Sequence, residues 1–288
     1  MTEPAPEHDG HPVPAIASAV DESFHRGLLR EVVLVGAAIA AYFAVRNLTA
    51  GGAADAFTNA GRLVDLEEWL HIAWEDAVQT TIVESDVLVT LTNWVYIWLH
   101  WPVIIGTAIA LYLLRRPRYH LFRNALFVSG AIGFLFFALF PVAPPRLLDL
   151  GLVDTVTEQS SSYRALQPPG LTNQYAAFPS LHVGWNIVVG IVLFTTFANL
   201  AVRVFAVASP LAMTLAVVAT ANHFVIDVVA GLAVVLVGLA VALAIERRDP
   251  AATLGRREPE ARVDAESGHS PVPRGAPGGE PTRGPPGG

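Results

Sequence analysis

Three stretches of this chain carry no charged residue at all: Val32 to Val45, Ala125 to Phe140 and Val228 to Ile245. A hydrocarbon core about 30 Å thick takes roughly 20 apolar residues in a helix, and these runs approach or reach that length. Composition agrees. Of 288 residues, 53% are hydrophobic and 15% are charged, and the mean hydropathy is +0.47. A soluble domain carries about 25% charged residues. The expected class is an all-α polytopic membrane protein.

The same inventory removes several functions. The net charge is −7 and the arginines sit at span ends, so no basic stripe exists for nucleic acid. Cysteine is absent, which excludes disulfide frameworks, zinc-thiolate sites and cysteine nucleophiles. All 18 basic residues are arginine, so lysine Schiff-base and P-loop chemistry are excluded as well.

Six spans are expected, at Leu28–Val45, Val87–Leu114, Leu121–Phe140, Leu181–Phe197, Val202–Ala221 and Phe224–Ile245. The second is long and contains Pro102, so a tilt or kink is expected there. Residues 1–24 read as a polar, disordered tail without the pattern of a signal peptide. Residues 249–288, rich in Pro, Gly, Glu and Arg, cannot bury enough apolar surface to order themselves. The domain expected to fold in the membrane is 25–248. Between the first two spans, Leu63, Leu66, Trp69, Leu70 and Ala73 recur at helical spacing against Asp65, Glu67, Glu68 and Glu75. That pattern suits a helix lying on the membrane surface, read as scaffold rather than as part of a site.

Arginine placement orients the bundle. With six spans both tails share one side, and that side holds Arg26, Arg30, Arg115, Arg116, Arg118 and Arg123 along with Arg203, Arg247 and Arg248. The other side holds Arg46, Arg62, Arg146 and Arg164. The positive-inside rule makes the arginine-rich side cytoplasmic. The reading is a multi-pass protein of the cell membrane, with loops 51–85 and 141–180 facing outward.

Those outward ends carry the chemistry. The chain leaves the third span through Pro144-Pro145-Arg146, enters the fourth as Phe178-Pro-Ser-Leu-His182, and enters the sixth as Asn222-His-Phe-Val-Ile-Asp227. His223 and Asp227 are i and i+4 and share a helix face. A carboxylate on one ring nitrogen fixes the tautomer and makes the other a better base or nucleophile. An unpaired aspartate inside an apolar span is expensive, and pairing with His223 resolves the cost. Two histidines and a carboxylate could form a metal site. Helix-entry amides beside an arginine suit an anion better, and phosphate above all. Phosphoryl transfer needs a nucleophile and an acid for the leaving oxygen, and two histidines with different partners supply both. Asn93, Tyr96 and His100 lie along one face of the second span, and Tyr96 and His100 are auxiliary candidates. Asn173, in the loop before the fourth span, is a candidate for head-group contact.

In this order and spacing, Phe-Pro-Ser-Leu-His followed by His-x-x-x-Asp-x-x-x-Gly (His223, Asp227, Gly231) resembles the type-2 phosphatidic acid phosphatase superfamily. The Pro-Pro-Arg turn and the Asn-His element look most like the branch of inositol phosphorylceramide synthases, which are inositolphosphotransferase-like. The resemblance runs from about Tyr96 to Gly231. It implies that His223 attacks phosphorus to form a phosphohistidine, that Asp227 orients it, and that His182 protonates the leaving alkoxide and then activates water or an alcohol. It also implies that Arg146 and Ser180, with Asn222 beside them, hold phosphate oxygens. The broader signature begins K-x-x-x-x-x-x-R-P, where this chain has no lysine. It places S-R five residues ahead of the last histidine, where this chain has Ala216-Val217. Fewer cations fit a phosphodiester, which carries less charge.

The expected activity is therefore a lipid phosphatase or head-group phosphotransferase at the outer leaflet, with a membrane lipid as partner and no metal or cofactor. Oligomeric state stays open, a homo-oligomer included. Prenyl diphosphate processing on the same anion site is an alternative, although no Asp-rich magnesium motif is present. A transporter for an anionic lipid is another, which would distribute polar groups through several spans instead of gathering them at one interface. Topology is directly testable: reporter fusions after Arg248 and within the Gly151–Gly170 loop should report opposite sides of the membrane.

Overall fold

The computed structural model describes residues 14–49, 52–159 and 173–248. Residues 1–13 and 249–288, which hold most of the two expected tails, lie outside the described residues. The helices are α1 (Pro14–Thr49), α2 (Ala53–Leu70), α3 (Glu75–Val83), α4 (Asp86–Trp98), α5 (Trp101–Leu114), α6 (Arg116–Leu139), α7 (Thr155–Gln159), α8 (Leu181–Thr196), α9 (Leu200–Ala219) and α10 (Val225–Arg248), with a 3-10 turn at Pro145–Leu147. The chain divides into a unit ending at Ala244 and a second starting at Ile245, whose described part is the last turn of α10.

Among the described residues four helices are long and apolar enough to cross a membrane, and α4 with α5, bent by 43°, counts as a fifth if the pair is one broken span and not a re-entrant loop. The sixth expected span, α8, has 16 residues, about 24 Å of helix. The protein is an all-α polytopic membrane protein, as expected. Helix α1 starts at Pro14, inside the stretch read as a tail. The bend in the second span falls at Leu99 and His100, just ahead of Pro102. A proline ring excludes the carbonyl four residues back and has no amide to offer it, so the helix breaks N-terminal to the ring.

The surface segment differs more from its expectation. It is two helices, α2 and α3, separated where His71 takes a left-handed backbone and caps α2 through its amide. The buried stripe of α2 is Ala56, Asn59, Ala60, Leu63 and Glu67, while Leu66, Trp69 and Leu70 are exposed. Glu67, read from the sequence as part of the polar face, is 1% exposed. A periodic pattern distinguishes apolar from polar faces. It does not distinguish a face against lipid from one against protein.

Helix α8 is the centre of the bundle. It packs most closely on α9 and also against α5 and α6, burying Val183, Val188, Val189 and Val192. Glycines set how near the neighbours come. A Cβ on Gly231 would lie 2.3 Å from the Ser180 carbonyl oxygen, and one on Gly184 would meet Val235 at 2.7 Å and the Gly231 carbonyl at 3.0 Å. Backbones of α8 and α10 therefore touch at the start of both helices. There the Ser180 amide donates to the Asp227 carbonyl at 2.9 Å. Asn186 extends the tie to α9 by accepting from Ser209 Oγ at 2.9 Å.

Gly231→Ala should force α8 and α10 apart and lower the thermal midpoint, with a cost of about 1–3 kcal/mol or more for overpacking against backbone. Gly106→Ala, whose new methyl meets nothing within 4 Å, should be neutral or slightly stabilising in the same melting experiment.

Candidate active site

Three chain segments meet at one end of the bundle. The turn after α6 is clamped on two sides. Val142 pairs with Ala176 in a short parallel bridge, the Val142 amide donating to Tyr175 O at 2.9 Å. On the α2 side, Ala143 N donates to Ala56 O at 3.1 Å and Asn59 Nδ2 to Pro141 O at 3.0 Å. The Arg146 amide then donates to Ala221 O at 2.9 Å. Ala221 has φ +52°, a left-handed conformation that costs an alanine energy. It sits where the chain turns out of α9 toward His223.

The two histidines face one another, with ring centroids 5.6 Å apart. His223 Nδ1 lies 2.8 Å from the Ala177 carbonyl oxygen and 3.3 Å from Asp227 Oδ2. A carbonyl can only accept, so Nδ1 carries the proton and donates, which leaves Nε2 with its lone pair. Burial, opposed by the Ala177 carbonyl and reinforced by the Arg146 guanidinium, holds this ring well below the ordinary imidazole value. It is neutral at pH 7. Asp227 is fully buried, accepts the Phe224 amide at 2.9 Å through Oδ2, and leaves Oδ1 without a partner among the described residues.

His182 opens α8, in the turn capped by Ser180, whose Oγ accepts from Val183 N at 3.5 Å. Its ring lies between Tyr96, stacked at 4.8 Å, and His100, at 4.2 Å. The bend before Pro102 is what brings His100 there. His100 is 4% exposed, and its Nδ1 has no hydrogen-bond partner among the described residues. Asn93, on the same face, does something plainer: it exchanges hydrogen bonds with the side chain and carbonyl of Thr155 and so anchors α7. Asn173 shapes its loop by accepting the Tyr175 amide at 3.1 Å.

Arg146 is less free than the sequence suggests. Its Nη1 donates to Asn222 Oδ1 at 2.6 Å, and its Nε lies 3.1 Å from Asp154 Oδ2. Asn222 spends its amide hydrogens on Thr220 O and Oγ1. Read from the sequence as a phosphate ligand, it is here the buttress that aims the guanidinium. Asp154 was not anticipated at all. A signal for it exists, since Asp154 Oδ1 accepts the Thr157 amide at 2.9 Å and so caps α7, and Asp ahead of Thr-Val-Thr is an N-cap pattern.

One more expectation changes. The amides at the start of α10 do not point at a ligand. Those of Phe224, Val225 and Ile226 donate to Asp227, Glu75 and Glu67 respectively. Nor is the cavity of about 430 Å³ between α2 and the end of α6 the site, because it is lined by Asp55, Asn59, Arg62 and Pro141 and touches neither histidine. Among the described residues no cluster of His, Cys, Asp or Glu has the arrangement to hold a metal ion.

A neutral imidazole with a free Nε2, a second imidazole beside it and an aimed guanidinium suit a phosphate ester, and their place at the end of a membrane bundle suits one carried by a lipid. The class so defined is that of all-α membrane proteins with a paired-histidine site suited to phosphate. Comparison of the sequence with family models agrees: residues 61–241 match the PAP2 superfamily. More than half of the chain lies inside that match, and the chain belongs to the PAP2 superfamily. Among solved structures it is similar to the crystal structure of Aquifex aeolicus LpxE, at 14% identity and a TM-score of 0.46, with 59% of this chain and 92% of that chain covered. No curated protein matches.

The Arg146 contacts give a test with opposite signs. Asn222→Ala should reduce kcat/KM about 10- to 100-fold, the scale of a lost hydrogen bond to a charged group. Asp154→Asn keeps an acceptor for Nε but removes the competing charge, so inorganic phosphate should inhibit this variant more tightly than wild type.

Proposed function

We propose that this protein transfers the phosphoryl or phosphatidyl-type group of a lipid phosphate ester through a phosphohistidine on His223, at the extracytoplasmic face of the cell membrane. The observation that carries this reading is the pair of imidazoles 5.6 Å apart, one of them committed through Nδ1 to the Ala177 carbonyl. His223 Nε2 attacks phosphorus, and the bond from phosphorus to the leaving alkoxide breaks. His182, as imidazolium, gives that alkoxide its proton. The negative charge of bound phosphate favours the imidazolium form. In the second step His182 takes a proton from water or an alcohol, the oxygen attacks phosphorus, and the P–N bond breaks. Arg146 Nη groups and the Ser180 hydroxyl hold the non-bridging oxygens through both steps. Asp227 keeps His223 in its tautomer.

Transfer to an alcohol, as in the inositol phosphorylceramide synthase branch, is a second reading with its own support. The guanidinium that acts on His223 is paired with Asp154 at 3.1 Å, which favours a singly charged diester over a doubly charged monoester. The outward orientation rests on the arginine asymmetry of the loops.

The mechanism divides the histidines experimentally. His223→Ala should abolish turnover and the acid-labile phosphate trapped on the protein. His182→Ala should slow a lipid alkoxide leaving group by about 100-fold or more, and much less for a nitrophenolate. If wild type releases product from lipid phosphates without any acid-labile phosphoenzyme, His223 is not the nucleophile.

A further inference from the structure

Two buried carboxyl groups outside the reacting set take hold of the helix that carries it. Glu67, near the end of α2, is 1% exposed and accepts the Ile226 amide at 2.7 Å. Glu75, at the start of α3, is 7% exposed and accepts the Val225 amide at 2.7 Å. These amides are the first of α10, one and two residues past the end of the Asn222–Phe224 turn. Two acidic side chains at one helix N-terminus complement its dipole. The neighbouring Glu75 carboxylate adds to burial in disfavouring the charged form of Glu67. A proton on Glu67 relieves that penalty, while each carboxyl still accepts an amide.

We propose that Glu67 and Glu75 are positioning residues, a buried carboxyl pair that clamps the surface helices α2 and α3 to the N-terminus of α10 and so sets where His223 and Asp227 stand. This rests on the reading of His223 and Asp227 as the reacting pair. Neither glutamate touches the imidazoles, and each acts through the backbone of residues 225 and 226. The same surface helices hold the Arg146 side of the site. Gln79 of α3 accepts Val153 N at 2.7 Å and donates to Val153 O and Ala219 O, beside the Asp154 that contacts Arg146. Leu66 and Trp69 of α2, and Trp74 just ahead of α3, are exposed.

The pair has a pH signature. Burial raises Glu67 most, the Ile226 amide opposes it, and the charged groups facing it, Glu75 from α3 and Asp227 from α10, both acidic, add to the rise. Its carboxyl is pushed up to about 8. The folded-state value lies above the unfolded one, so the stability Glu67 contributes is full below about 4.5, falls as pH rises, and is gone above about 8, where the folded carboxyl ionises.

The test uses the full-length protein in detergent micelles with phosphatidic acid as probe. Glu67→Gln keeps an oxygen for Ile226 N and carries no charge at any pH, so it should retain activity at pH 7, lose the fall in kcat through pH 8, and lose the fall in thermal midpoint between about pH 4.5 and 8. Glu67→Ala should lower kcat by about 10- to 100-fold, the scale of a small misplacement of reacting groups, with KM little changed. Amide hydrogen exchange at Val225 and Ile226 should speed up in Glu67→Ala and match wild type in Glu67→Gln. If exchange and the pH dependence of melting are the same in wild type and both variants, the clamp does not exist. These two readouts involve no turnover. Failure of wild type to release phosphate from any lipid would overturn the functional reading and leave the clamp standing on exchange and melting alone.

Discussion

Everything at this site depends on one backbone contact, the approach of α8 to α10 where the Ser180 amide meets the Asp227 carbonyl at 2.9 Å and Gly231 leaves no Cβ in the way. Side chains alone could not bring two helix entries so close. A methyl group at position 231 would sit 2.3 Å from the Ser180 oxygen, so the spacing of His223, Asp227 and Gly231 along one helix face has two purposes. Its first two members present chemistry, and its third admits the neighbouring helix that brings His182. Dense packing makes this geometry nearly all-or-none, because interiors have little free volume in which to absorb an added carbon.

The N-terminus of α10 shows how a buried polar site is satisfied. Its free amides are taken by Asp227, Glu75 and Glu67, in a region where an unmet donor would cost more than in water. That assignment withdraws these amides from any anion at the site and leaves Arg146, Ser180 and the entry to α8 as the remaining donors there. It also shows how so acidic a neighbourhood is accommodated. The carboxyl groups face backbone donors and one another, whereas the guanidinium of Arg146, held by Asn222 and Asp154, is the group with hydrogens to spare.

The sequence alone made legible the helical membrane class, the six apolar segments, the break near Pro102, and the convergence of Arg146, Ser180, His182, His223 and Asp227 on one end. Each of these follows from local chemistry: charge-free length, a proline ring, or residue spacing along one helix. Tertiary structure decided the rest. Glu67 looks like part of a solvated face until α10 is set against it, since period counting treats lipid and protein as the same apolar partner. Asn222 looks like a ligand until Arg146 and Thr220 claim its polar atoms. Asp154 shows only an N-cap pattern for α7 and Glu75 only a polar position opening α3, and both come to the site because α3, α7 and the turn after α6 are folded together across 70 or more residues of chain. Local pattern determines which residues can do chemistry in a membrane. Which of them reach the substrate and which hold the others in place is set by contacts between distant segments, and no spacing rule encodes those.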